Sequence, residues 1–176
     1  MHKAILPPAE GTMSEYYESY RHYILENDIY KGLLAQGEMT YQFLKPLTNV
    51  QGSIRYEAGK WSIREVAGHI IDTERIFSYR ALSIMRGEKQ SLPGLDENEY
   101  ASNANYDTRT LADIADELYT VRQSTLHMIG NMDPEKLDIT GVANQNPVTV
   151  RALIYFMLVH ERHHIGVIKR KYLAGK

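Results

Sequence analysis

Cysteine is absent from all 176 residues, which excludes disulfides, thiolate metal ligands and a cysteine nucleophile. Any thiol chemistry would have to use a small-molecule thiol. An excess of positive charge is missing too. The 20 Lys and Arg against 22 Asp and Glu leave a net charge of -2, and the pI is near 6.4, so there is no electrostatic footprint for nucleic acid. No apolar run approaches the length of a bilayer span; the stretch Ala152 to Val159 is among the longest and is far too short. The N-terminus, MHKAILPPAEG, has no sustained apolar segment of the kind found in a signal peptide. A cytoplasmic protein without membrane or nucleic-acid partners is therefore the expectation. Internal repeats and low-complexity tracts are also absent. What remains, at 43% hydrophobic and 24% charged, is the composition of an ordinary globular protein long enough for a sizeable core.

Read in order, the chain is almost wholly helical in pattern. Residues 1–12 hold Pro7, Pro8 and Gly11 and read as an N-terminal arm, leaving 13–176 as a single helical-bundle domain. Ser14 to Glu26 places Tyr16, Tyr20 and Tyr23 at helical spacing. Asp28 is positioned to cap a second helix to about Leu47, although Gly32 and Gly37 weaken it unless they permit close packing. Thr48 to Lys60 reads as a connection. Ser62-Ile63-Arg64-Glu65 is a capping box, with Trp61 placed to staple onto Val66, and an apolar face then runs to about Arg86. Glu88 to Asp107 is a polar loop whose length is uncommon unless it lines a pocket. Leu111, Ile114, Leu118, Val121, Thr125 and Ile129 mark another helix, ended by Gly130. Ile139 to Pro147 reads as a loop, after which Thr149 can cap the last helix. No strand pattern is evident, so the expected fold is an all-α helical bundle.

The last helix carries the chemistry. In VTVRALIYFMLVHERHHIGVIKRKYL, positions three and four apart share a face. Leu153, Met157, His160, His164 and Ile168 form one stripe, so two histidines stand where a bundle would bury leucine. They lie about 6 Å apart along the axis, close enough for both rings to reach one cation. Desolvating two unpaired imidazoles is costly, and a shared metal would explain them. His69, on the flank of the apolar face that includes Val66, is the candidate third ligand. On spacing alone, a histidine on a helix flank is more often a solvated or hydrogen-bonded residue. Three imidazoles would leave a coordination position open, as in a catalytic site. The best candidates for a fourth ligand, Glu161 and Asp72, are poorly placed.

His160-Glu161-Arg162-His163-His164 also matches the H-E-x-x-H pattern of zinc proteases. Such sites usually take a third ligand downstream, yet only twelve residues follow His164 and none is His, Asp or Glu. No strand pattern is present to hold an extended peptide either.

Two separated segments resemble one family. Lys60-Trp61-Ser62-Ile63-Arg64-Glu65-Val66-Ala67-Gly68-His69, followed by Asp72, Glu74, Arg75, Phe77, Tyr79 and Arg80, is similar to the first motif of the DinB/YfiT-like proteins. His160-Glu161-Arg162-His163-His164 is similar to their second. Tyr16-Tyr17, Tyr20 and Leu92-Pro93-Gly94 with Tyr100 resemble the DinB-like branch, so the likeness runs from about Ser14 to Leu173. It implies a four-helix bundle with up-down-down-up connectivity and one divalent metal on His69, His160 and His164. Members of the family are often dimeric and are found with zinc, nickel, iron or manganese, so a homodimer holding zinc or nickel is expected, with iron or manganese as alternatives. Characterised relatives include transferases that use bacillithiol, mycothiol or glutathione. The resemblance thus implies a thiol-dependent S-transferase acting on a small-molecule substrate, with a bacillithiol-like cosubstrate. A metal-dependent hydrolase that activates water is the alternative. A non-catalytic, metal-stabilised binding or stress-response protein is a third reading.

Other residues have plainer roles. Glu161 lies about 100° around the helix from His160, which favours a supporting or surface carboxylate over a general base. Glu74, inside an apolar stripe, should pair with an arginine such as Arg80 or Arg162. Asp72 could orient the His69 ring. His163 is left out of the ligand set. The Tyr16, Tyr20 and Tyr23 row reads as packing surface, with a substrate-pocket lining as the alternative. His2, His22 and His127 carry no pattern.

Overall fold

The computed structural model describes residues 4–174; the first three residues of the expected arm, His2 among them, lie outside this range. Four long helices make the body: α2 (Ile29–Leu44), α4 (Ile63–Met85), α6 (Leu111–Gly130) and α7 (Val150–Val167), with short helices α1 (Glu15–Glu18), α3 (Asn49–Gly52) and α5 (Glu97–Asn103) between them. Capping chemistry sets the starts. The Asp28 carboxylate accepts from the Tyr30 amide. Ser62 and Glu65 form the reciprocal capping box of α4, and Thr149 Oγ1 accepts from the Ala152 amide at the start of α7.

Side-chain contacts fix the directions of the helices. In α2 and α6, Tyr30 meets Gly130 while Lys45 pairs with Asp116 at the other end, so the two are antiparallel. Helices α4 and α6 are parallel: Ile63, Val66 and Ile70 share a cluster with Leu111 and Leu118, and Phe77 and Ile84 share the next with Leu126 and Ile129. Helices α4 and α7 are antiparallel, since His69 lies beside His164 and Phe77 beside Phe156. Helix α7 runs parallel to α2, with Leu158 against Gly32 and Arg162 bonded to Gln36. The connectivity is therefore up-down-down-up.

The two α2 glycines do permit close packing. A Cβ on Gly32 would sit 2.6 Å from Leu158 Cδ2, and one on Gly37 would sit 2.8 Å from Arg122 Cγ. The helix-weakening cost of glycine is thus offset by backbone approach. The space beside Gly37 carries Arg122, a fully buried arginine. Its Nε and Nη2 donate to Glu74 Oε1 and Oε2 at 2.9 and 2.7 Å, Nη2 also donates to Glu161 Oε2 at 2.5 Å, and Nη1 donates to the Leu33 carbonyl at 2.8 Å. One guanidinium on α6 therefore joins all four long helices through the bundle centre. The partner expected for Glu74, Arg80 or Arg162, is corrected to Arg122. Arg162 instead pairs with Glu26.

Three other expectations change. Ile139 to Pro147 is not simply a loop: β1 (Thr140–Ala143) pairs antiparallel with β2 (Asn146–Thr149). The two-residue turn places Asn144 and Gln145 at φ of 49° and 62°, the left-handed geometry that matches strand twist. Leu92 adds a short third rung, donating to the Val142 carbonyl and accepting from the Asn144 amide. Ser14 to Glu26 is not one helix either. It breaks after α1, where the Ser19 hydroxyl donates to the Tyr16 carbonyl and competes with helical bonding; a 3-10 turn at Arg21–Tyr23 follows. The long loop after α4 contains α5, capped by Asp96. Helix α7 ends in a π-helical segment, Ile168–Tyr172. No helix among the described residues is long and apolar enough to cross a membrane.

Candidate metal centre

Rigid elements deliver the three histidines. His69 projects from α4, two turns beyond its capping box, and His160 and His164 project from consecutive turns of antiparallel α7. His69 Nε2 lies 3.0 Å from His160 Nε2, and His164 Nε2 lies 3.0 Å from the same atom. All three ligand atoms fall within 4.8 Å of one another, and no fourth His, Asp or Glu joins them among the described residues. His160 Nε2 has either one hydrogen or one lone pair to offer. It can serve both neighbours only through a shared, weakened hydrogen bond, whereas three lone pairs aimed at one point suit a cation.

Burial keeps these rings neutral. Desolvation pushes His69 down to about 4, opposed by the negative charge of Glu97. His160 is held well below the ordinary histidine range by desolvation first, then by His164 and His69. His164 is lowered in the same way, by burial and then by His69 and His163. Neutral imidazoles are the form that binds metal. The residues present thus fit a divalent ion in donor type, number, protonation state and convergence.

The surroundings of the site separate its neighbours into distinct roles. The Trp61 ring lies 4.9 Å from that of His69, held from behind by the Tyr172 hydroxyl, which donates to the Trp61 carbonyl at 2.9 Å. Asp72 does not orient His69; its Oδ1 accepts from the Tyr106 hydroxyl at 2.9 Å. That bond is permitted by Gly68, where any Cβ would sit 2.2 Å from the Tyr106 ring. Glu161, fully buried and bonded to Arg122, is directed into the bundle core and is unavailable as the general base of an H-E-x-x-H site. His163 stands outside the cluster, with its Nδ1 3.0 Å from the Tyr23 hydroxyl.

The histidines line a cleft of about 710 Å³. One wall is aromatic, with Tyr16, Tyr17, Tyr20, Phe77 and Phe156, so Tyr16 and Tyr20 of the tyrosine row line the pocket as well as pack, while Tyr23 meets His163 instead. Another comes from the hairpin, including Asn144 and Asn146, and the loop after α4 supplies Leu95, Glu97 and Asn98. The length of that loop was the signal for pocket lining. Among the described residues Glu97 is the only carboxylate on the lining, and nothing in its local pattern distinguishes it from other loop acids. Thr73, one turn beyond His69, has a buried Oγ1 without a hydrogen-bond partner.

No curated protein matches the chain in sequence. In three dimensions it is similar to YfiT from Bacillus subtilis, described as a probable metal-dependent hydrolase with an unusual four-helix bundle topology. The TM-score is 0.76 at 15% identity, over 95% of this chain and 91% of that one. The likeness carries the fold, in agreement with the helix directions above. The sequence profile of the DinB superfamily matches residues 33–168, from α2 through the histidine pair, and the chain belongs to that superfamily.

Proposed function

We propose that this protein is a metal-dependent hydrolase in which His69, His160 and His164 hold one divalent cation, zinc or nickel, in the cleft. The observation that carries the reading is the convergence of three neutral imidazoles, with no fourth protein ligand among the described residues, onto a cleft wide enough for a small molecule. A closed structural site would recruit a fourth side chain. The description of YfiT supports hydrolysis over the thiol-dependent S-transferase, which rested on other relatives.

A divalent cation held there supplies Lewis-acid polarisation and an acidified water. The chain's own groups do the rest. Trp61 covers one side of the His69 ring and limits water on that side. Glu97, whose charge is felt at His69, is the cleft's one carboxylate among the described residues and would accept a proton at its side-chain oxygen. The aromatic wall gives the substrate's apolar part a surface to lie on.

The test is an assay of zinc-reconstituted protein against carboxylic esters, amides and phosphoesters. Hydrolysis of one class should stop on chelation and in His160→Ala. In Glu97→Gln it should fall by about 10²–10⁴-fold. Turnover that survives both chelation and His160→Ala would sink the reading. Consumption of an electrophile only when a low-molecular-weight thiol is added would restore the S-transferase.

A further inference from the structure

Eleven residues beyond His69 on the same helix, a buried cation faces the same cleft without an anion. Arg80 is only 5% exposed yet makes no ion pair among the described residues; the arginines at 21, 55, 75, 109, 122, 151 and 162 all do. Nη2 donates to the Pro93 carbonyl at 2.7 Å. Nε is buried with no hydrogen-bond partner. The guanidinium carbon lies 5.0 Å from the centre of the Phe77 ring, and burial lowers the Arg80 pKa from the ordinary arginine value. A buried guanidinium left this way is costly. Arg64 is likewise buried without an ion pair among the described residues, but it gives both terminal nitrogens to Ser53 and Asn49 and does not line the cleft, whereas Arg80 does.

Geometry places this charge on the path of a bound molecule. Eleven residues at about 100° each bring Arg80 back to within about 20° of His69 around the helix, and about 16 Å further along it. Thr73 and Phe77 lie between them on the same face, and all four line the cleft. We propose that Arg80 binds the carboxylate of a monoanionic, amphipathic substrate. The apolar middle of that substrate lies along Tyr17, Phe77 and Phe156, and its hydrolysable group reaches the three histidines. One cation in an otherwise aromatic wall matches one negative charge; a phosphate dianion would call for more donors than this wall supplies. The use made of the bound acid rests on the hydrolase reading, whereas the anion site itself does not.

The two can be separated by binding measurements. Trp61 is the only tryptophan of the chain and lines the cleft, so its fluorescence reports occupancy directly. The probes are 6-phenylhexanoate, its neutral amide and phenyl phosphate, titrated into zinc-loaded protein, metal-free protein, Arg80→Met and Arg80→Lys. Wild type should prefer the acid over the amide by about 10- to 100-fold, equally with and without zinc. Arg80→Met should lose the preference while binding the amide as before, and Arg80→Lys should keep part of it. If Arg80→Met does not fold, the lysine variant decides alone through its intermediate preference. A preference unchanged in either Arg80 variant, or one that disappears on removing zinc, would overturn the assignment. Phenyl phosphate bound as tightly as the acid would overturn the carboxylate specificity.

Discussion

Replacing Arg122 with methionine fills a similar volume but strands two carboxylates in the bundle centre. The wild-type side chain makes two bonds to Glu74, one to Glu161 and one to the Leu33 carbonyl. Removing one partner of a buried ionic network typically costs about 3–5 kcal/mol, because the remaining charges are left uncompensated. At about 2–4 °C per kcal/mol for a chain of this size, melting should fall by about 6–20 °C. The pH dependence gives the sign. Without the guanidinium, two desolvated carboxylates repel each other in the bundle centre. Acid relieves that repulsion by neutralising charge, so the penalty is full at high pH and shrinks as pH falls. Urea melts followed by far-UV circular dichroism, with chelator present throughout, should show a wild-type-to-variant gap that narrows from pH 8 to pH 5.5. Replacing Glu74 and Glu161 with leucine as well should restore most of the loss, since a packed apolar core is an adequate substitute for a buried ion network. A gap under about 1 kcal/mol at neutral pH, or one that does not change with pH, would refute the claim that this arginine neutralises the bundle centre.

Further predictions concern the metal site and its supports. Gly68→Ala pushes a methyl into the Tyr106 ring and should cost about 1–3 kcal/mol by overpacking; Tyr106→Phe, which only removes the bond to Asp72, should cost about 1 kcal/mol. Thermal melts of the two variants check the order. The metal-free protein should lose stability in acid. His69 is depressed to about 4 in the folded state, so its contribution is complete above the unfolded value near 6.5 and is lost as pH falls from there towards 4. Its share is on the order of 3 kcal/mol, readable from denaturant melts between pH 7 and 4.5, and a flat profile would contradict the buried neutral ring. Glu97→Gln should lower turnover without loss of bound metal, measured on the same zinc-loaded samples.

Much of the bundle could be read from the chain because its signals are local. The Ser62 and Glu65 capping box marks the start of α4, and His160 and His164 stand out as polar residues in an apolar stripe. His69 was different: its flank position admits a bland reading, and the resemblance of the surrounding segment singled it out. The hairpin is not legible in the chain because its strands are four residues each and its turn is Asn144-Gln145, without the glycine that usually signals such a turn. Glu74 was visible as a residue needing a partner, but Arg122 lies 48 positions away and only the parallel packing of α4 and α6 selects it. Thr73, Glu97 and Arg80 share a cleft whose walls come from five separate segments. Their common role follows from the assembled walls rather than from spacing.

The most direct measurement is metal content by mass spectrometry of untagged protein purified without an immobilised-nickel column, together with His69→Ala and His160→Ala. About one equivalent of a divalent transition metal in wild type, lost in both variants while helicity is retained, is the predicted result. A wild type that folds without metal and cannot be reconstituted would contradict the three-histidine centre, leaving its rings as buried polar residues of the core.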